Sequence, residues 1–356
     1  MTEQQQRRFS SAGTSDDGEQ RYDVVVIGGG AAGLSAALTL GRARRSALVV
    51  DSGQPRNAPA AGVHNYLGGE GRPPGELLAM GRREMAGYGG HLVEGAVVAA
   101  RRLADGDFRV DLEGGRSARG RRLLVATGLA DELPGIAGLA ERWGREVLHC
   151  PYCHGWEVRD QAIGVLATGP AGVEQALLWR QWSVDVTLFL HTGPEPGEDA
   201  REQLAAREVA VVDGAVRALR VDGDRLTGVV LAGGRTVPVR ALVAAPQVTA
   251  RTAALSGLGL AASEFEMNGH VIGTYVPTDA AGATAVPGVW AAGNVANPAE
   301  TVIGSANAGM RAAAAINADL VAEETRQAVA GRRAPSSAAM EHEDGNRVLD
   351  DRRPGV

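Results

Sequence analysis

Two cysteines, Cys150 and Cys153, are the only ones in the 356-residue chain, and His154 follows them directly. A C-x-x-C pair can cycle between a dithiol and a disulfide, because a thiolate at either position can attack a disulfide sulfur. An imidazole titrates near neutral pH, so His154 could move a proton to or from a thiol. The segment therefore predicts thiol–disulfide chemistry, with His149 as a less favoured second acid–base candidate. The alternative for His154 is a side chain that only fills space beside the motif.

The rest of the composition speaks against lysine catalysis, nucleic-acid or membrane partners and a metal site. All 36 basic residues are arginine, which excludes a lysine Schiff base or a lysine general base. The net charge of −6 predicts neither a nucleic-acid partner nor an anionic membrane surface as a partner. A zinc site would need further nitrogen or sulfur ligands beside the C-x-x-C pair, and the histidines are scattered, so we predict no metal site.

The sequence also bears on the compartment. It contains no stretch of about 18 uninterrupted apolar residues, and the polar residues 1–20 lack the apolar segment of a signal peptide. We therefore expect a cytoplasmic protein. In a reducing compartment a C-x-x-C pair is more often catalytic or metal-binding than structural, which again favours a redox role.

These side chains must be positioned by a fold, and short Val, Ile and Leu runs alternate with Ala-rich stretches as in α/β proteins. Buried parallel strands are predicted at residues 23–27, 47–50, 123–126, 163–167, 186–190 and 289–292. Helices are predicted at 31–42, 74–87, 172–182, 200–208 and 305–324, and antiparallel meanders around 93–118 and 215–239. The order strand, helix, strand, meander, strand occurs twice, which predicts two related nucleotide-binding units.

The first predicted strand runs directly into a glycine-rich turn and a helix. In a dinucleotide-binding unit Gly28 would allow the tight turn, Gly30 would let the backbone approach a pyrophosphate, and Gly33 would let the helix pack on the strand. The helix N-terminus would offer N–H groups to the phosphates. Asp51 ends the next strand, where a carboxylate can accept a hydrogen bond from a ribose hydroxyl. The alternative is an ordinary glycine-rich turn.

Two further segments combine a strand with a small-residue turn. Residues 124–128 end in Thr127-Gly128, and residues 286–294 end in Gly293-Asn294 before an Ala-rich stretch. Together with the C-x-x-C segment, these motifs resemble the low-molecular-weight thioredoxin reductase family of flavoproteins. The resemblance covers about residues 22–325, which is nearly all of the chain between the two polar ends.

The resemblance implies an α/β fold of two Rossmann-like, three-layer ββα nucleotide-binding domains, the second inserted into the first. Residues 22–135 and 250–325 would form the FAD-binding domain. Residues 136–249 would form a central, degenerate NAD(P)-binding-like domain that carries the C-x-x-C pair. Residues 1–21 and 326–356 are predicted to be disordered tails. A homodimer is also implied.

FAD is the cofactor that the resemblance implies. The residues implied to contact it are Gly28, Gly30, Ala31, Ala32, Gly33, Asp51, Ser52, Arg56, Asn57, Val97, Thr127, Gly128, Gly293, Asn294, Thr301 and Val302. Asn294 stands where the family has aspartate, so hydrogen bonding is retained without the charge. The resemblance further assigns Cys153 to the flavin and Cys150 to the substrate, and His154 stands where these reductases usually carry aspartate.

The second nucleotide-binding unit departs from the family pattern. Matched to G-x-G-x-x-A/G, its first glycine is Ala167, and Pro170 intrudes before Gly172. After the strand ending at Leu190 the family carries arginines for the 2′-phosphate of NADPH, whereas residues 191–199 contain three acids and no arginine. A phosphate would meet no guanidinium there and would face like charge. The sequence therefore speaks against NADPH binding, and electrons would enter from the dithiol side.

A degenerate nicotinamide site beside C-x-x-C-H also resembles the thioredoxin-reductase-like dithiol oxidases of the gliotoxin and holomycin type. Residues 56–68 fit that group and would place Arg56, Asn57 and His64 near the flavin or the thiol channel. A plain surface-loop role for His64 is an equal alternative. The hypothesis is an FAD-dependent dithiol oxidase that forms a disulfide in a small-molecule dithiol, such as a natural product, while O2 reoxidises the flavin and gives H2O2.

Other functions stay open. The chain could be an NADPH-dependent thioredoxin-disulfide reductase acting on a thioredoxin-like protein, a reductase fed by another donor such as ferredoxin, or a non-catalytic flavin-bound redox sensor. With no NADPH to deliver, we expect a resting conformer in which Cys153 lies against the flavin. Trp179, Trp182 and Trp290 are expected to pack in the core or an interface and not to form a substrate cage.

Overall fold

The computed structural model describes residues 20–267 and 269–333. The strands, in chain order, are β1 (Arg21–Ile27), β2 (Ala47–Asp51), β3 (His91–Glu94), β4 (Val97–Arg102), β5 (Phe108–Leu112), β6 (Ser117–Val125), β7 (Leu129–Glu132), β8 (Val147–Leu148), β9 (Ile163–Leu166), β10 (Val186–Phe189), β11 (Ala210–Val212), β12 (Val216–Asp222), β13 (Arg225–Leu231), β14 (Thr236–Val237), β15 (Ala241–Ala244), β16 (Gln247–Ala250), β17 (Ser263–Met267), β18 (His270–Tyr275) and β19 (Val289–Ala291). The α-helices are α1 (Ala31–Arg42), α2 (Pro74–Ala86), α3 (Pro151–His154), α4 (Gly172–Trp179), α5 (Glu198–Ala206) and α6 (Val302–Arg333).

The first sheet has seven strands in the order β3-β2-β1-β6-β5-β4, with β19 paired to β6. Strands β1, β2, β3, β6 and β19 run parallel, and β4 and β5 add an antiparallel edge. Val24, Val25 and Val26 of β1 are fully buried. Helices α1 and α6 cover the face of Val24 and Val26, and a second apolar cluster covers the face of Val25. A strand buried on both faces needs an unbroken apolar run, which accounts for the valines.

The second sheet has five parallel strands in the order β11-β10-β9-β15-β8. One of its faces forms a core with Trp179 of α4 and Leu204 of α5. The other face packs on the antiparallel sheet β12-β13-β14, where Phe189 and Val229 are fully buried. The unit therefore has three layers, and its antiparallel sheet is the meander predicted at 215–239. The prediction of two layered α/β nucleotide-binding units is confirmed.

The chain passes between the two units through β7 and β16, which pair antiparallel with Leu129 opposite Ala250 and Glu132 opposite Gln247. Strands β17 and β18 extend this pair into a four-stranded sheet. The sequence did not predict this sheet, because its strands are short and mostly only partly buried. The predicted domain boundaries, 135–136 and 249–250, lie within a few residues of these crossings.

At both ends the described secondary structure extends past the predicted tail boundaries. Helix α6 continues to Arg333, so residues 326–333, which we had assigned to a disordered tail, are helical. Arg, Gln and Ala favour the helix, and Gln327 Nε2 donates to Glu323 Oε1 at 3.0 Å one turn before it. At the other end Arg21 pairs in β1 opposite Arg119 of β6. The remaining predicted tail residues, 1–19 and 334–356, lie outside the described residues.

The helices predicted at 172–182 and 200–208 occupy Gly172–Trp179 and Glu198–Ala206. The helix predicted at 31–42 agrees at both ends and the one at 74–87 at its start, whereas the one at 305–324 begins three residues earlier, at Val302, and extends to Arg333. Trp179 is fully buried and Trp290 is nearly so, as expected for core packing, whereas Trp182 is half-buried. In the described ranges, no helix is both long and apolar enough to cross a membrane.

Candidate active site

The glycine turn between β1 and α1 is shaped by close backbone contacts. Gly28 has a φ of +111°, a conformation that favours glycine, and a β-carbon there would lie against the Ala126 carbonyl. A β-carbon at Gly33 would lie against the Gly28 carbonyl, so this glycine lets α1 pack on the turn. At Gly30, by contrast, no atom of the described residues lies within 4 Å of a β-carbon position. Gly30 also precedes α1, whose first N–H groups receive no side-chain cap from any described residue.

Helix α1 approaches α6 at Ala32, the second residue of the helix after Ala31. A β-carbon at Gly309 of α6 would lie against the Ala32 carbonyl oxygen, and one at Gly293 would lie 2.9 Å from Ala32 Cβ. Gly293 has a φ of +77°. The glycine turn and the Gly293 segment, 260 residues apart in the chain, are thus brought together around one alanine.

Asp51 ends β2 beside this turn. It is only 9% exposed, and a β-carbon at Gly29 would lie 2.6 Å from its Cγ. Arg82 Nη2 of α2 donates to Asp51 Oδ2 at 2.8 Å, while Arg82 Nε is buried without a hydrogen-bond partner among the residues described. An unpartnered buried donor beside a buried carboxylate fits a ligand with several acceptor oxygens. Sequence reasoning missed Arg82; Ser52, which it did name, is exposed.

Three further predicted residues lie around the same sheet end. Thr127 Oγ1 donates to the Arg251 carbonyl at 2.8 Å, and the Arg251 N–H donates to the Gly128 carbonyl at 3.2 Å, which ties the turn after β6 to the second crossing. Val97 begins β4, two residues after Gly95, whose N–H donates to the Asp51 carbonyl at 2.9 Å. These bonds place the turn and the start of β4 beside the strand ends that carry Gly28 and Asp51.

Asn294 has a structural use that aspartate could not fill. Its Nδ2 donates to the carbonyls of Asn297, Pro298 and Glu300 at 3.3, 3.3 and 2.9 Å. These bonds shape the loop that leads into α6, where the Ser305 N–H donates to the Thr301 carbonyl at 2.8 Å. Thr301 therefore caps the helix that begins at Val302. A carboxylate has no donor in its ionised form, which gives a physical reason for asparagine at this position.

Arg56 pairs with a residue of β7, and this partner was not predicted. Its Nε and Nη2 bind Asp131 of β7 at 2.8 and 2.5 Å, and its Nη1 lies 3.5 Å from Asn294 Oδ1. Asp131 is 75 residues away in the chain and lies in no motif, so the sequence offered no signal for it. Asn57, the next predicted residue, is half-buried, and its carbonyl accepts from the Ala60 N–H at 3.0 Å within a turn.

Asn294→Asp is expected to lower the free energy of unfolding by about 1–3 kcal/mol, because the carbonyls of the buried Pro298, the half-buried Glu300 and the exposed Asn297 lose a donor and face a carboxylate. Chemical unfolding of the FAD-free protein measures this without a contribution from cofactor affinity. Asn297→Asp is the matched control, since Asn297 uses its oxygen to accept from the Ala299 N–H at 3.1 Å. Equal stability of the Asn294 and Asn297 variants would contradict the assigned donor role.

The redox pair is a disulfide at the start of a short helix. Cys150 and Cys153 are bonded, with Cα atoms 5.2 Å apart, and both are partly exposed. Cys150 precedes α3, and its sulfur accepts a hydrogen bond from the Cys153 N–H at 3.2 Å. A donor aimed at sulfur favours the thiolate over the thiol, so the geometry favours a nucleophilic Cys150 in the reduced state.

Aromatic packing holds this helix on the central unit. The Tyr152 ring meets Trp182 edge to face at 5.6 Å, and Trp182 lies 5.9 Å from the buried Trp179. A β-carbon at Gly155 would lie 2.7 Å from Trp182 Nε1, so glycine is required where the chain leaves the helix. Trp182 therefore packs against Tyr152 and Gly155 of the C-x-x-C segment, and it is a packing residue, as predicted.

Two histidines flank the disulfide in different surroundings. Burial lowers the pKa of His154 below its ordinary value; Glu157 opposes this and His64 adds to it. Burial also lowers the pKa of His149, and the Arg56 charge adds to that effect. The His149 side chain is nevertheless accessible to solvent. Both imidazoles are therefore neutral at neutral pH and can act as bases.

A loop of the first unit contacts the redox segment. Asn65 Nδ2 donates to the Tyr152 carbonyl at 2.5 Å, and His64 Nε2 lies 3.5 Å from Glu157 Oε1. His64 Nδ1 also lies 2.7 Å from Glu70 Oε1 within the loop. The predicted proximity of His64 to the thiol chemistry thus has a structural basis, whereas Asn65, Glu70 and Glu157 had not been predicted.

The geometry described above can be compared with known proteins. Residues 22–318 match the family described as pyridine nucleotide-disulphide oxidoreductase. The chain belongs to this family. A crystal structure of HlmI superposes with a TM-score of 0.81 at 47% identity, covering 89% of this chain and 97% of that one. The resemblance to thioredoxin-reductase-like flavoproteins is confirmed, and the chain is a flavin-dependent disulfide oxidoreductase.

Curated relatives of this oxidoreductase carry thioredoxin reductase names. Thioredoxin reductase sirT from Leptosphaeria maculans is 31% identical over 302 residues, which is 80% of this chain and 90% of sirT. Thioredoxin reductase tcpT from Claviceps purpurea (strain 20.1) is 37% identical over 218 residues, which is 59% of this chain. That alignment spans 65% of tcpT, just under two thirds of its length.

FAD is the cofactor of this flavoprotein family, and the first unit fits it. The open space at Gly30, the uncapped start of α1 and the unpartnered Arg82 Nε all suit a phosphate-bearing dinucleotide. The structure brings one group of predicted residues together around Gly28 and Asp51, and a second group around Arg56 and Asn294. The individual contacts to FAD, including those of the exposed Ser52 and Thr301, stay predictions.

Proposed function

We propose that this flavoprotein is a dithiol oxidase that forms a disulfide in a small-molecule dithiol through Cys150 and Cys153 and delivers the electrons to O2 as H2O2. The observation that carries the proposal is the state of the second nucleotide-binding unit. It keeps a strand, a turn and a helix in β9 and α4. Its turn, however, has Ala167 at the first glycine position and contains Pro170, and acids but no arginine occur in residues 191–199 after β10.

The turn after β10 packs against Ala167, the residue that follows β9. The Gly193 N–H donates to the Ala167 carbonyl at 2.9 Å, and a β-carbon at Gly193 would lie 2.8 Å from Ala167 Cβ. His191, at a φ of +46°, accepts from the Val216 N–H at its Nδ1, 3.0 Å away. The first arginine after this strand, Arg201, pairs with Glu195 at 3.0 Å. This arrangement supports the inference that NADPH is not the electron donor.

The position of the redox segment supports the same inference. The Asn65–Tyr152 hydrogen bond links the C-x-x-C helix to the FAD-binding unit. Asn65 belongs to the same β2–α2 connection as Arg56, whose Nη1 lies near Asn294. A reductase needs its central domain to turn so that NADPH and the disulfide reach the flavin alternately. An oxidase fed by a dithiol has no such need, and a contact that holds the two units together suits it.

Thiol–disulfide exchange follows from the residues described. The substrate thiolate bonds to Cys150 Sγ as the Cys150–Cys153 bond breaks and Cys153 leaves as a thiolate. The second substrate thiol then displaces Cys150, which releases the disulfide product and leaves the dithiol. FAD, when bound, would supply the two-electron acceptor for this dithiol and the site from which O2 is reduced. His154 is neutral at neutral pH and takes the proton from each attacking thiol.

Anaerobic photometry tests the proposal. We expect a small dithiol such as dithiothreitol to bleach the visible flavin band, and NADPH to leave it unchanged, because residues 191–199 contain no arginine for its 2′-phosphate. On admission of air the dithiol should be consumed catalytically with release of H2O2, whereas a redox sensor would release it only in stoichiometric amount. Faster bleaching by NADPH than by dithiothreitol would overturn the oxidase assignment.

The main competing function is a thioredoxin reductase, which the names of sirT and tcpT favour. Oxygen consumption measured in parallel with small dithiols and with reduced thioredoxin separates a small-molecule oxidase from an enzyme that recognises a protein thiol. Bleaching by reduced ferredoxin alone would favour a ferredoxin-fed reductase. We also propose a homodimer, for which mass measurement in solution is the direct test.

A further inference from the structure

We propose that the side chains of Tyr152 and Trp156 form an aromatic platform that binds the substrate, and that this substrate is an uncharged dithiol carried on a flat ring system. Tyr152 lies between the two cysteines, and Trp156 follows three residues after Cys153. The inference deepens the proposed function and rests on it for the dithiol. The ring of the substrate is inferred from the platform itself.

Exposed apolar side chains are concentrated around the redox segment. Among the large apolar side chains of residues 20–267 and 269–333, the four most exposed are Leu67 (93%), Val184 (72%), Trp156 (66%) and Tyr152 (63%). Leu67 lies two residues after Asn65, whose Nδ2 donates to the Tyr152 carbonyl. Val184 lies two residues after Trp182, whose ring meets that of Tyr152. Single exposed apolar residues are ordinary, whereas a group of them around a reactive disulfide indicates a binding surface.

The backbone places Trp156 next to both Tyr152 and Cys153. Gly155 has helical backbone angles (φ −63°, ψ −34°), and its N–H donates to the Pro151 carbonyl at 2.7 Å. The helical turn therefore continues past the end of α3. Residues three and four apart are neighbours on the surface of such a turn. Trp156 is three residues after Cys153 and four after Tyr152, so it neighbours the disulfide on one side and the Tyr152 ring on the other.

The Trp156 ring is held in place before any ligand binds. Arg159 Cζ lies 4.0 Å from the centroid of the ring, and Arg159 Nη1 donates to the Trp156 carbonyl at 2.6 Å. The turn that carries both residues is anchored on Trp182, because Gly155 packs against its indole and the Asp160 N–H donates to its carbonyl at 2.9 Å. With Arg159 over one face, the exposure of Trp156 leaves the other face in solvent. A ring ordered in advance loses little entropy when a ligand stacks on it.

The size of the platform suits a small molecule better than a protein. An aromatic side chain buries about 150–250 Å², so two rings that are about two-thirds exposed offer about 200–300 Å² to a ligand. Each partner of a stable protein interface buries about 800 Å². The platform is therefore of the size of one small ring system.

The chemistry of the platform favours an uncharged ring. Aromatic rings gain more from one another than their buried area alone, in offset-stacked or edge-to-face pairs. Arg159, the nearest cation along the chain, is already engaged with the Trp156 ring and carbonyl. The acids Glu157 and Asp160 follow the platform in the chain and are exposed, so an anionic thiol would face like charge.

The test compares two dithiols in the FAD-loaded protein, held without oxygen. 1,2-Benzenedimethanethiol carries its thiols on a benzene ring, whereas dithiothreitol has no ring. Each is oxidised to a cyclic disulfide as the Cys150–Cys153 disulfide is reduced, and the product of the first turnover is measured after an acid quench. Trp156→Ala should lower the second-order rate constant by about tenfold for the ring dithiol and by less than about twofold for dithiothreitol. Comparing each variant with the wild type cancels the intrinsic reactivity of the two reagents.

Tyr88→Ala is the matched control, since Tyr88 is also an exposed ring with an arginine over it. Arg42 Cζ lies 5.0 Å from the Tyr88 centroid, and Arg42 Nη1 donates to the Tyr88 hydroxyl at 2.7 Å. Tyr88 follows α2 and should leave both rates unchanged. Trp156→Phe keeps a ring and should keep most of the rate with the ring dithiol. Trp156→Leu is apolar without a ring and should lose it, which also serves if Trp156→Ala does not retain FAD.

An equal loss with both dithiols, or no loss with either, overturns the platform, because the first indicates a structural role and the second no role. Loss of the reaction with reduced thioredoxin alone would assign the surface to a protein partner and overturn it as well. A fall in the solution mass of Trp156→Ala would do the same by assigning the surface to a second copy of the chain. If product forms with the expected dependence on Trp156 but the flavin is not bleached, the oxidase proposal fails and the platform stands.

Discussion

Replacement of Cys150 by serine is expected to lower dithiol turnover by about 10³-fold or more, because a hydroxyl cannot form the disulfide that carries the electrons. Replacement of Cys153 should lower turnover as much but leave a different product. With Cys153→Ser, the Cys150 thiolate can still attack a disulfide and keeps its backbone donor at 3.2 Å. No second protein thiol is then available to resolve the mixed disulfide, so with a linear disulfide, whose halves carry no further thiol, an adduct at Cys150 should accumulate and be visible by intact mass.

The two cysteine variants form a matched pair. Cys150→Ser should give little adduct, since the remaining thiol is the one assigned to the flavin. Both variants should retain FAD, because neither cysteine lies in the glycine turn or the Gly293 segment. Turnover by Cys150→Ser above about a tenth of the wild-type rate would show that exchange does not pass through Cys150. An adduct on Cys150→Ser alone would reverse the two roles.

Gly30→Asp is expected to remove FAD binding while leaving the fold intact. The Gly30 backbone is extended, with a φ of −77°, and a β-carbon there meets no atom of residues 20–267 or 269–333 within 4 Å. Aspartate is a favoured residue at a helix N-cap, so α1 should be at least as stable. Its charge would face the FAD phosphates, and a like-charge contact of this kind costs several kcal/mol, or about 10³-fold in affinity. Flavin absorbance per mole of purified protein measures the loss.

The matched control is the corresponding position of the second unit. A β-carbon at Gly169 likewise meets no atom of the described chain within 4 Å, so Gly169→Asp should also fold. Because this unit is proposed not to use NADPH, Gly169→Asp should retain both FAD and dithiol turnover. Flavin reduction by NADPH in the wild type that is lost in Gly169→Asp, with FAD retained, would indicate a working pyridine-nucleotide site. Unfolding of Gly30→Asp, seen by circular dichroism, would contradict the open space at Gly30.

Much of the fold could be predicted from the sequence because its signals are local. The valine run of β1 and the glycines at 28, 30 and 33 specify a strand, a turn and a helix within about 20 residues. The antiparallel meander of the second unit was predicted for the same reason. The four-stranded sheet of β7, β16, β17 and β18 was not, because pairing between Leu129 and Ala250 depends on the whole intervening unit. The end of α6 was misplaced because composition alone does not distinguish a helical extension from a polar tail.

The sequence by itself determined the redox pair, the flavin-type glycine turn and the absence of arginine from residues 191–199, since each is a matter of residue type and spacing. Only the tertiary structure decided how these parts meet. Arg56 and Asp131, and Asn65 and Tyr152, are 75 and 87 residues apart, so local sequence gives no sign of their contacts. The burial that lowers the pKa of His154 likewise arises from the folded chain. A pKa is fixed by burial and neighbouring charge, and neither can be read from local sequence.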